Sequence, residues 1–247
     1  MTDADITFIV GLTGVGKSTT LGAVKRSDLT LLPNRRALAD TIIIPEMQRQ
    51  MGEEVGEVRD RLARFELTRR YRQQHPGGVV HALQVYLEQA YLEGTSLRPP
   101  FLFDNVRGSA EVKSAAERFA NSRFIFLDAP NMVRLKRLIG RSDAFDQVSN
   151  TAATRLENTS FTEKLLTIRG VDEVFDLYDV GRLEANAGVD DEAILDAVKI
   201  IVAEQQNYDA GAALAYLRTA LDEARLLYLD TSTLSVDEVA ARIGAWL

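Results

Sequence analysis

The chain of 247 residues contains no cysteine, only two histidines, and no apolar run long enough to cross a membrane. Without cysteine it can form neither disulfide bonds nor thiolate metal sites. Its acidic first residues, 1–5, lead directly into an apolar stretch, which differs from the pattern of a secretory signal peptide. We therefore expect a cytoplasmic protein that does not bind membranes.

The chain also has fewer positive than negative residues, with 29 Lys and Arg against 36 Asp and Glu, which gives a net charge of −7. Broad binding to nucleic acid needs a basic face, so nucleic acid is possible as a partner but not favoured. The two histidines, His75 and His81, are six residues apart and do not share one helix face. This spacing argues against a two-histidine metal site.

The clearest motif is the P-loop pattern G-x-x-x-x-G-K-[ST] at Gly11–Ser18, directly after the apolar run 6–10. Its glycines let the backbone curl so that N–H groups converge on phosphate oxygens, and the following helix adds its dipole. Lys17 can reach the β- and γ-phosphates of ATP, and the Ser18 hydroxyl can coordinate Mg²⁺. The predicted nucleotide-binding residues of this loop are Gly11, Thr13, Gly14, Val15, Gly16, Lys17, Ser18 and Thr19.

Apolar strand-like segments alternate with helical ones along much of the chain. This alternation predicts a three-layer α/β/α fold around a parallel five-stranded sheet. The strands are predicted at 6–10, 29–32, 99–104, 124–127 and 225–230. The predicted core comprises 1–33, 99–141 and 189–247, with a helical acceptor-binding insertion at 34–98 and a lid-like insertion at 142–188.

The third predicted strand ends in Asp104, and a carboxylate at this place is the usual partner of a P-loop in holding Mg²⁺. Hydrolytic P-loop ATPases commonly follow this Asp with Glu, but here Asn105 follows, and the chain lacks the Asn-Lys-x-Asp motif of GTPases. Arg107 is spaced to contact a transferred or accepting phosphate, with a surface salt bridge as the alternative.

A pair of arginines, Arg137 and Arg141, lies on one face of a predicted helix. Two guanidinium groups at this spacing can bind phosphate oxygens and neutralise charge in a transition state. The alternative is an amphipathic helix with a solvated basic face.

Taken together, the P-loop, the strand ending in Asp104 and the sequence Arg-Leu-Ile-Gly-Arg at 137–141 resemble nucleoside monophosphate kinases, adenylate kinase above all. In that family an Arg-x-x-Gly-Arg sequence that follows this strand opens the lid over ATP. A final strand and helix flank the adenine, and residues 228–232 and 236–243 are similar to them. The resemblance implies catalytic roles for Lys17, Asp104, Arg107, Arg137 and Arg141. Residues 34–98 do not match that family's monophosphate-binding helices, so the broader class of P-loop small-molecule kinases is implied.

The acceptor side is predicted from arginines. Arg35 and Arg36 follow the second strand, and Arg64 and Arg72 belong to an arginine-rich stretch at 59–72. Guanidinium forks suit phosphate and carboxylate, so these four residues are the predicted substrate-binding group. The alternative is a solvated helix whose arginines are balanced by neighbouring acids.

The sequence thus predicts an ATP- and Mg²⁺-dependent phosphotransferase that moves the γ-phosphate of ATP to a small acceptor, anionic or nucleotide-like. Two alternatives stay open at this point. One is a P-loop ATPase or nucleotide-dependent regulator whose output is conformational, and the other is a polynucleotide end kinase.

Overall fold

In a computed structural model of the protein, residues 5–23, 29–139, 160–187 and 190–247 are described. They form one five-stranded sheet in which every neighbouring pair of strands is parallel, in the order β2-β3-β1-β4-β5. The strands are β1 (Ile6–Val10), β2 (Thr30–Leu31), β3 (Phe101–Val106), β4 (Arg123–Asp128) and β5 (Leu226–Asp230). The predicted α/β fold with a parallel five-stranded sheet is confirmed.

Both faces of the sheet are buried, because each central strand sends alternate side chains into two different apolar clusters. In β1, Phe8 packs with the cluster on one face, and Ile9 with the cluster on the other. The Phe8 ring lies 5.4 Å from the ring of Phe124, 5.7 Å from that of Phe119 and 6.0 Å from that of Phe103. Burial on both faces explains why four of the five residues of β1 are apolar, with the buried Thr7 as the fifth.

Helices cover both faces of the sheet. They are α1 (Lys17–Ala23), α2 (Arg35–Leu38), α3 (Ile44–Gln50), α4 (Arg61–Gln74), α5 (Val79–Leu92), α6 (Ser109–Arg118), α7 (Asn131–Ile139), α8 (Phe161–Leu166), α9 (Val171–Val174), α10 (Leu177–Ala187), α11 (Asp191–Asn207), α12 (Ala210–Ala220) and α13 (Val236–Trp246). The Ile9 cluster includes residues of α13, whereas the Phe8 cluster extends to α2–α6 and α12. A capping box formed by Ser235 and Glu238 opens α13.

The segment 34–98 is mostly helical, as its sequence predicts. The side chain of Asn34 caps α2, and a π-helical turn, Ala39–Ile43, joins α2 to α3. The side chain of Asp60 caps α4. Buried residues of these helices share one apolar cluster with the sheet, so the helices of this segment pack on the core.

The segment 160–187 forms α8, α9 and α10, which pack against α7 and α11 in a further apolar cluster. Residues 140–159, 188 and 189 lie outside the described residues, and the predicted site residue Arg141 is one of them. The division of the chain into core, acceptor insertion and lid stays a prediction. Among the helices described, none is long and apolar enough to span a membrane.

The turn between α4 and α5 approaches α6 very closely. His75 caps the end of α4, and Gly78 has a φ of +52°, in the region that favours glycine. A Cβ atom on Gly77 would lie 2.3 Å from Ser114 Oγ and 2.9 Å from Ser114 Cβ. The serine hydroxyl is itself held by Arg118 Nε at 2.9 Å. The two glycines therefore serve as a helix stop and as a contact surface for α6.

The same turn brings the two histidine rings together although they do not share a helix. The rings of His75 and His81 stack with centroids 4.0 Å apart and planes 8° apart. Tyr71 Oη lies 2.7 Å from His81 Nδ1, and Glu46 Oε1 lies 3.1 Å from His75 Nε2. Burial and then the positive charges of His75 and Arg118 lower the pKa of His81. Within the described ranges no group of three or more His, Asp or Glu residues could hold a metal.

Substituting Gly77→Ala should destabilise the fold by about 1–3 kcal/mol, because the new methyl group overlaps the Ser114 side chain. The measurement is urea unfolding at equilibrium. Gly181→Ala in α10 is the matched control, since nothing lies within 4 Å of its Cβ position. An unchanged unfolding midpoint for Gly77→Ala would contradict the close packing of the turn on α6.

Acidification should weaken the fold through His81. Because its pKa is lower in the folded protein than in the unfolded chain, the neutral ring is favoured by folding. That stabilisation is present above the ordinary pKa of about 6.5 and is lost as the pH falls through the lowered folded value. Urea midpoints measured at about pH 7.5 and about pH 5 should differ less in His81→Gln than in the wild type. Equal pH slopes would refute this assignment.

Candidate functional site

The P-loop leaves the carboxyl end of β1 and leads into α1, which begins at Lys17. Gly14 and Gly16 have φ angles of +86° and +92°, which other residues adopt only with strain. A Cβ atom on Gly14 would lie 3.0 Å from Arg134 Cβ, so α7 packs directly against the loop. Ser18 and Thr19 are exposed in the first turn of α1. The predicted loop residues therefore form one continuous turn at the sheet's carboxyl edge.

The Lys17 ammonium turns back onto its own loop. Its Nζ donates to the carbonyl oxygens of Gly11 and Leu12, the latter at 2.8 Å. Burial, followed by the nearby positive charge of Arg107, lowers the pKa of Lys17 to about 7. The negative charges of Glu204 and Asp104 oppose this shift but do not cancel it. An anion bound beside Lys17 would favour its charged form.

Asp104 lies near the end of β3, next to the loop, as the sequence predicts. The Gly11 N–H donates to Val106 O at 3.1 Å, which holds the end of β3 against the start of the loop. One carboxylate oxygen of Asp104 accepts a hydrogen bond from the Asn105 side chain. The half-buried carboxylate is close enough to Lys17 for its charge to act on the lysine's pKa.

Arg107 joins the loop through a buried glutamate that the sequence analysis did not select. Glu204, on α11, is 5% exposed and accepts from Arg107 Nη1 at 2.7 Å. It also accepts from Thr13 N–H at 2.9 Å and from Thr13 Oγ1 at 2.6 Å. A local signal did exist: Glu204 falls three residues after Ile201, on the buried face of α11.

Arg134, one turn before Arg137, is the arginine of α7 that is buried in this cluster. It is 1% exposed and donates to Glu204 Oε2 at 2.6 Å, to Thr13 O at 2.8 Å and to Asn131 Oδ1 at 2.9 Å. Burial lowers its pKa. Thr13 is thus held at its N–H and hydroxyl by Glu204 and at its carbonyl by Arg134.

Arg137 fastens α7 to the loop and to the turn after β5. It donates to Gly14 O at 3.2 Å, to Thr231 Oγ1 at 2.9 Å and to Thr231 O at 2.6 Å. Beside it lies a cavity of about 280 Å³. The lining residues are Gly14, Val15, Gly16, Thr19, Thr20, Arg137, Thr231, Leu234, Val236 and Val239. Of the arginine pair, Arg137 therefore lies at the loop, while Arg141 falls outside the described residues.

The four arginines predicted to bind substrate have different surroundings. Arg35 Nη2 donates to Glu111 Oε2 at 2.6 Å and to Asn105 O at 2.8 Å, beside the end of β3. Arg64 is paired with Asp40 at 2.5 Å, and Arg36 is exposed.

Arg72 lines a second cavity, of about 390 Å³, in which the buried Glu111 forms part of the wall. The rest of the lining consists of Arg69, Gln73, Pro76, Gly108, Ser109, Ala110, Asn207, Tyr208 and Asp209. The structure therefore places Arg35 in contact with Glu111 and Arg72 in the same cavity wall as Glu111, whereas Arg64 is paired with Asp40.

No known protein-family profile matches this sequence, and no curated protein matches it. Among solved structures, the crystal structure of TT1252 from Thermus thermophilus aligns with 17% sequence identity and a TM-score of 0.45. The alignment covers 98% of this chain and 96% of that chain. A likeness at this level carries no argument about function, so the site is interpreted from its own geometry.

Thr231→Val should destabilise the protein by about 1–3 kcal/mol, because it removes a buried hydroxyl without changing side-chain volume much. That hydroxyl lies 3.0 Å from both Val15 O and Asp128 O and accepts from Arg137. Thermal unfolding measures the change. Thr233→Val, exposed in the same turn, is the control and should cost less than about 0.5 kcal/mol. Equal effects of the two substitutions would contradict the inferred role of the Thr231 hydroxyl.

Proposed function

We propose that this protein is an ATP- and Mg²⁺-dependent phosphotransferase that moves the γ-phosphate of ATP to a small acceptor, anionic or nucleotide-like. The observation that carries the proposal is the convergence of Lys17, Arg107 and Asp104 at the mouth of the P-loop. Two cations and one carboxylate at such a loop are the groups that phosphoryl transfer uses, since the reaction needs positioning and charge stabilisation.

The loop supplies the contacts for the phosphates. Its curled backbone at Gly14 and Gly16 can present N–H groups to phosphate oxygens, and the N-terminus of α1 favours negative charge. Lys17 would exchange its two carbonyl partners for phosphate oxygens. The exposed hydroxyl of Ser18 and the carboxylate of Asp104 would hold Mg²⁺, which neutralises charge on the phosphates when bound.

The nucleoside half of ATP would occupy the cavity beside Arg137. Leu234, Val236 and Val239 give this cavity an apolar wall, which suits a purine ring. Arg137 and Thr231 supply polar groups at its edge. The cavity also includes Gly16 of the loop, so a ligand in it would be continuous with phosphates at Lys17.

The acceptor would bind in the cavity lined by Arg72 and by Gly108, the residue after Arg107. The guanidinium group of Arg72 favours an anionic acceptor, whereas that of Arg69 already binds Glu66 through two hydrogen bonds. Arg35 contacts the glutamate in the wall of that cavity and would tie its position to the end of β3. Asn105 takes the place where hydrolytic ATPases commonly carry a glutamate, which favours transfer over hydrolysis.

The test is transfer from γ-labelled ATP, with Mg²⁺, over a panel of nucleosides, nucleotides, sugars, small acids and oligonucleotide ends. We expect little ATP loss alone and a large increase with one acceptor class. Lys17→Ala should reduce transfer by about 10²-fold or more. Lys113→Ala, at an exposed position of α6, is the matched control and should have no effect.

Two outcomes would overturn the proposal in favour of another class. Fast ATP hydrolysis that no acceptor increases would indicate a P-loop ATPase or a nucleotide-dependent regulator. Transfer confined to 5′-hydroxyl oligonucleotides would indicate a polynucleotide end kinase.

A further inference from the structure

Glu204 is the common partner of three groups from separate parts of the chain. Its carboxylate accepts hydrogen bonds from Thr13 of the P-loop, from Arg107 after β3 and from Arg134 of α7, and the shortest distance to each is 2.6–2.7 Å. Thr13 lies 191 residues from Glu204 in sequence, and Arg134 lies 70 residues from it. The side chain of Glu204 is 6% exposed, so water competes little for these bonds.

This carboxylate binds two cations, Arg107 and Arg134, and a third cation, Lys17, lies close enough for their charges to act on it. The positive charges of Arg107 and Arg134 both act on Lys17, and Arg107 has the larger effect. Like charges at close range repel, and the repulsion grows as the surroundings become less polar. Glu204 and Asp104 are the negative charges that oppose it at Lys17. Without Glu204, the partly exposed guanidinium group of Arg107 would lose its carboxylate partner and could turn towards water.

Arg107 is the member of this group with the fewest attachments. In the described part of the chain, its guanidinium forms a hydrogen bond to Glu204 alone, and its buried Nε has no partner. The Tyr208 ring is 6.0 Å away, at the edge of the range for a cation–π contact. Arg134, by contrast, also binds Thr13 and Asn131. The direction of the Arg107 side chain therefore depends on Glu204.

We propose that Glu204 is a positioning residue, which holds Arg107 beside Lys17 so that both cations meet the phosphates of the nucleotide. This inference rests on the proposed function. Arg134 and Thr13 fix the carboxylate from one side, and the carboxylate fixes Arg107 on the other. Arg107 can then rotate its unused N–H groups onto a phosphate while one Nη group stays on Glu204.

The experiment is a double-mutant cycle on the dissociation constant of Mg·ATP, measured by calorimetry. Glu204→Gln and Arg107→Ala should each weaken binding about tenfold. If Glu204 acts through Arg107, the double variant should bind no more than about twofold more weakly than Arg107→Ala alone. If the two losses instead multiply to about 100-fold, Glu204 acts independently and the inference is overturned.

Two further variants separate positioning from folding. Glu204→Asp keeps the charge on a shorter side chain, and we expect it to recover most of the affinity because the long arginine can follow the carboxylate. If Glu204→Gln is unstable in thermal unfolding, the cycle is measured with sucrose in every sample, because this osmolyte favours the folded state. Glu192→Gln, exposed on the same helix, is the control and should leave the affinity unchanged.

The same protein samples distinguish this inference from the proposed function. If the two substitutions are coupled in Mg·ATP binding but no acceptor is phosphorylated, the phosphotransferase function is overturned and the coupling is supported. If an acceptor is phosphorylated but the two losses of Mg·ATP affinity multiply, the phosphotransferase function is supported and the coupling is overturned.

Discussion

The central position of β1 is the constraint on which the candidate site depends. This strand pairs with β3 on one side and β4 on the other, and Val10 lies in register with both Val106 and Phe126. Because parallel strands end at the same edge of a sheet, the loop after Val10 must open between the ends of β3 and β4. For this reason the loop meets Asp104 and Arg107 on one side and Arg134 of α7 on the other.

The arrangement of charged side chains then determines what the site can bind. A charge moved out of water is costly unless an opposite charge and hydrogen bonds replace the solvent, and Glu204 supplies an opposite charge and a hydrogen bond to both Arg107 and Arg134. Within the described residues Lys17 has carbonyl oxygens as its hydrogen-bond partners, and its pKa falls to about 7 under burial and the nearby positive charge. An anion bound at the P-loop would favour the charged form of Lys17.

The strands and the P-loop could be predicted because their signals are local. Apolar runs marked β1 and β4, the glycine spacing marked the loop, and the position of Asp104 at a strand end placed it beside the loop. Glu204 and Arg134 could not be predicted in this way, because their meeting depends on contacts between distant segments. Periodicity would have shown Glu204 on a buried helix face, but not which cations it contacts.

The predicted acceptor side shows the same limit. Arg64 and Arg72 fall close together on one predicted helix, yet Arg64 is paired with Asp40 and Arg72 lines a cavity. Helical spacing gives the angle between two side chains but not the identity of the neighbouring element. The stacking of His75 on His81 was missed for a related reason, since a tight turn joins two helices there.

The π-helical turn Ala39–Ile43 has a consequence for how this segment can change during evolution. A π turn accommodates one residue more than the α-helical turn that it replaces. Deleting one residue there would restore a continuous α-helix and leave α2 and α3 in nearly the same rotation, because the wider turn already absorbs the extra residue. Arg35 would keep its contact with Glu111, and Met47 would keep its place in the core. This turn is therefore a point at which the segment can lose a residue without disturbing the contacts at either end of it.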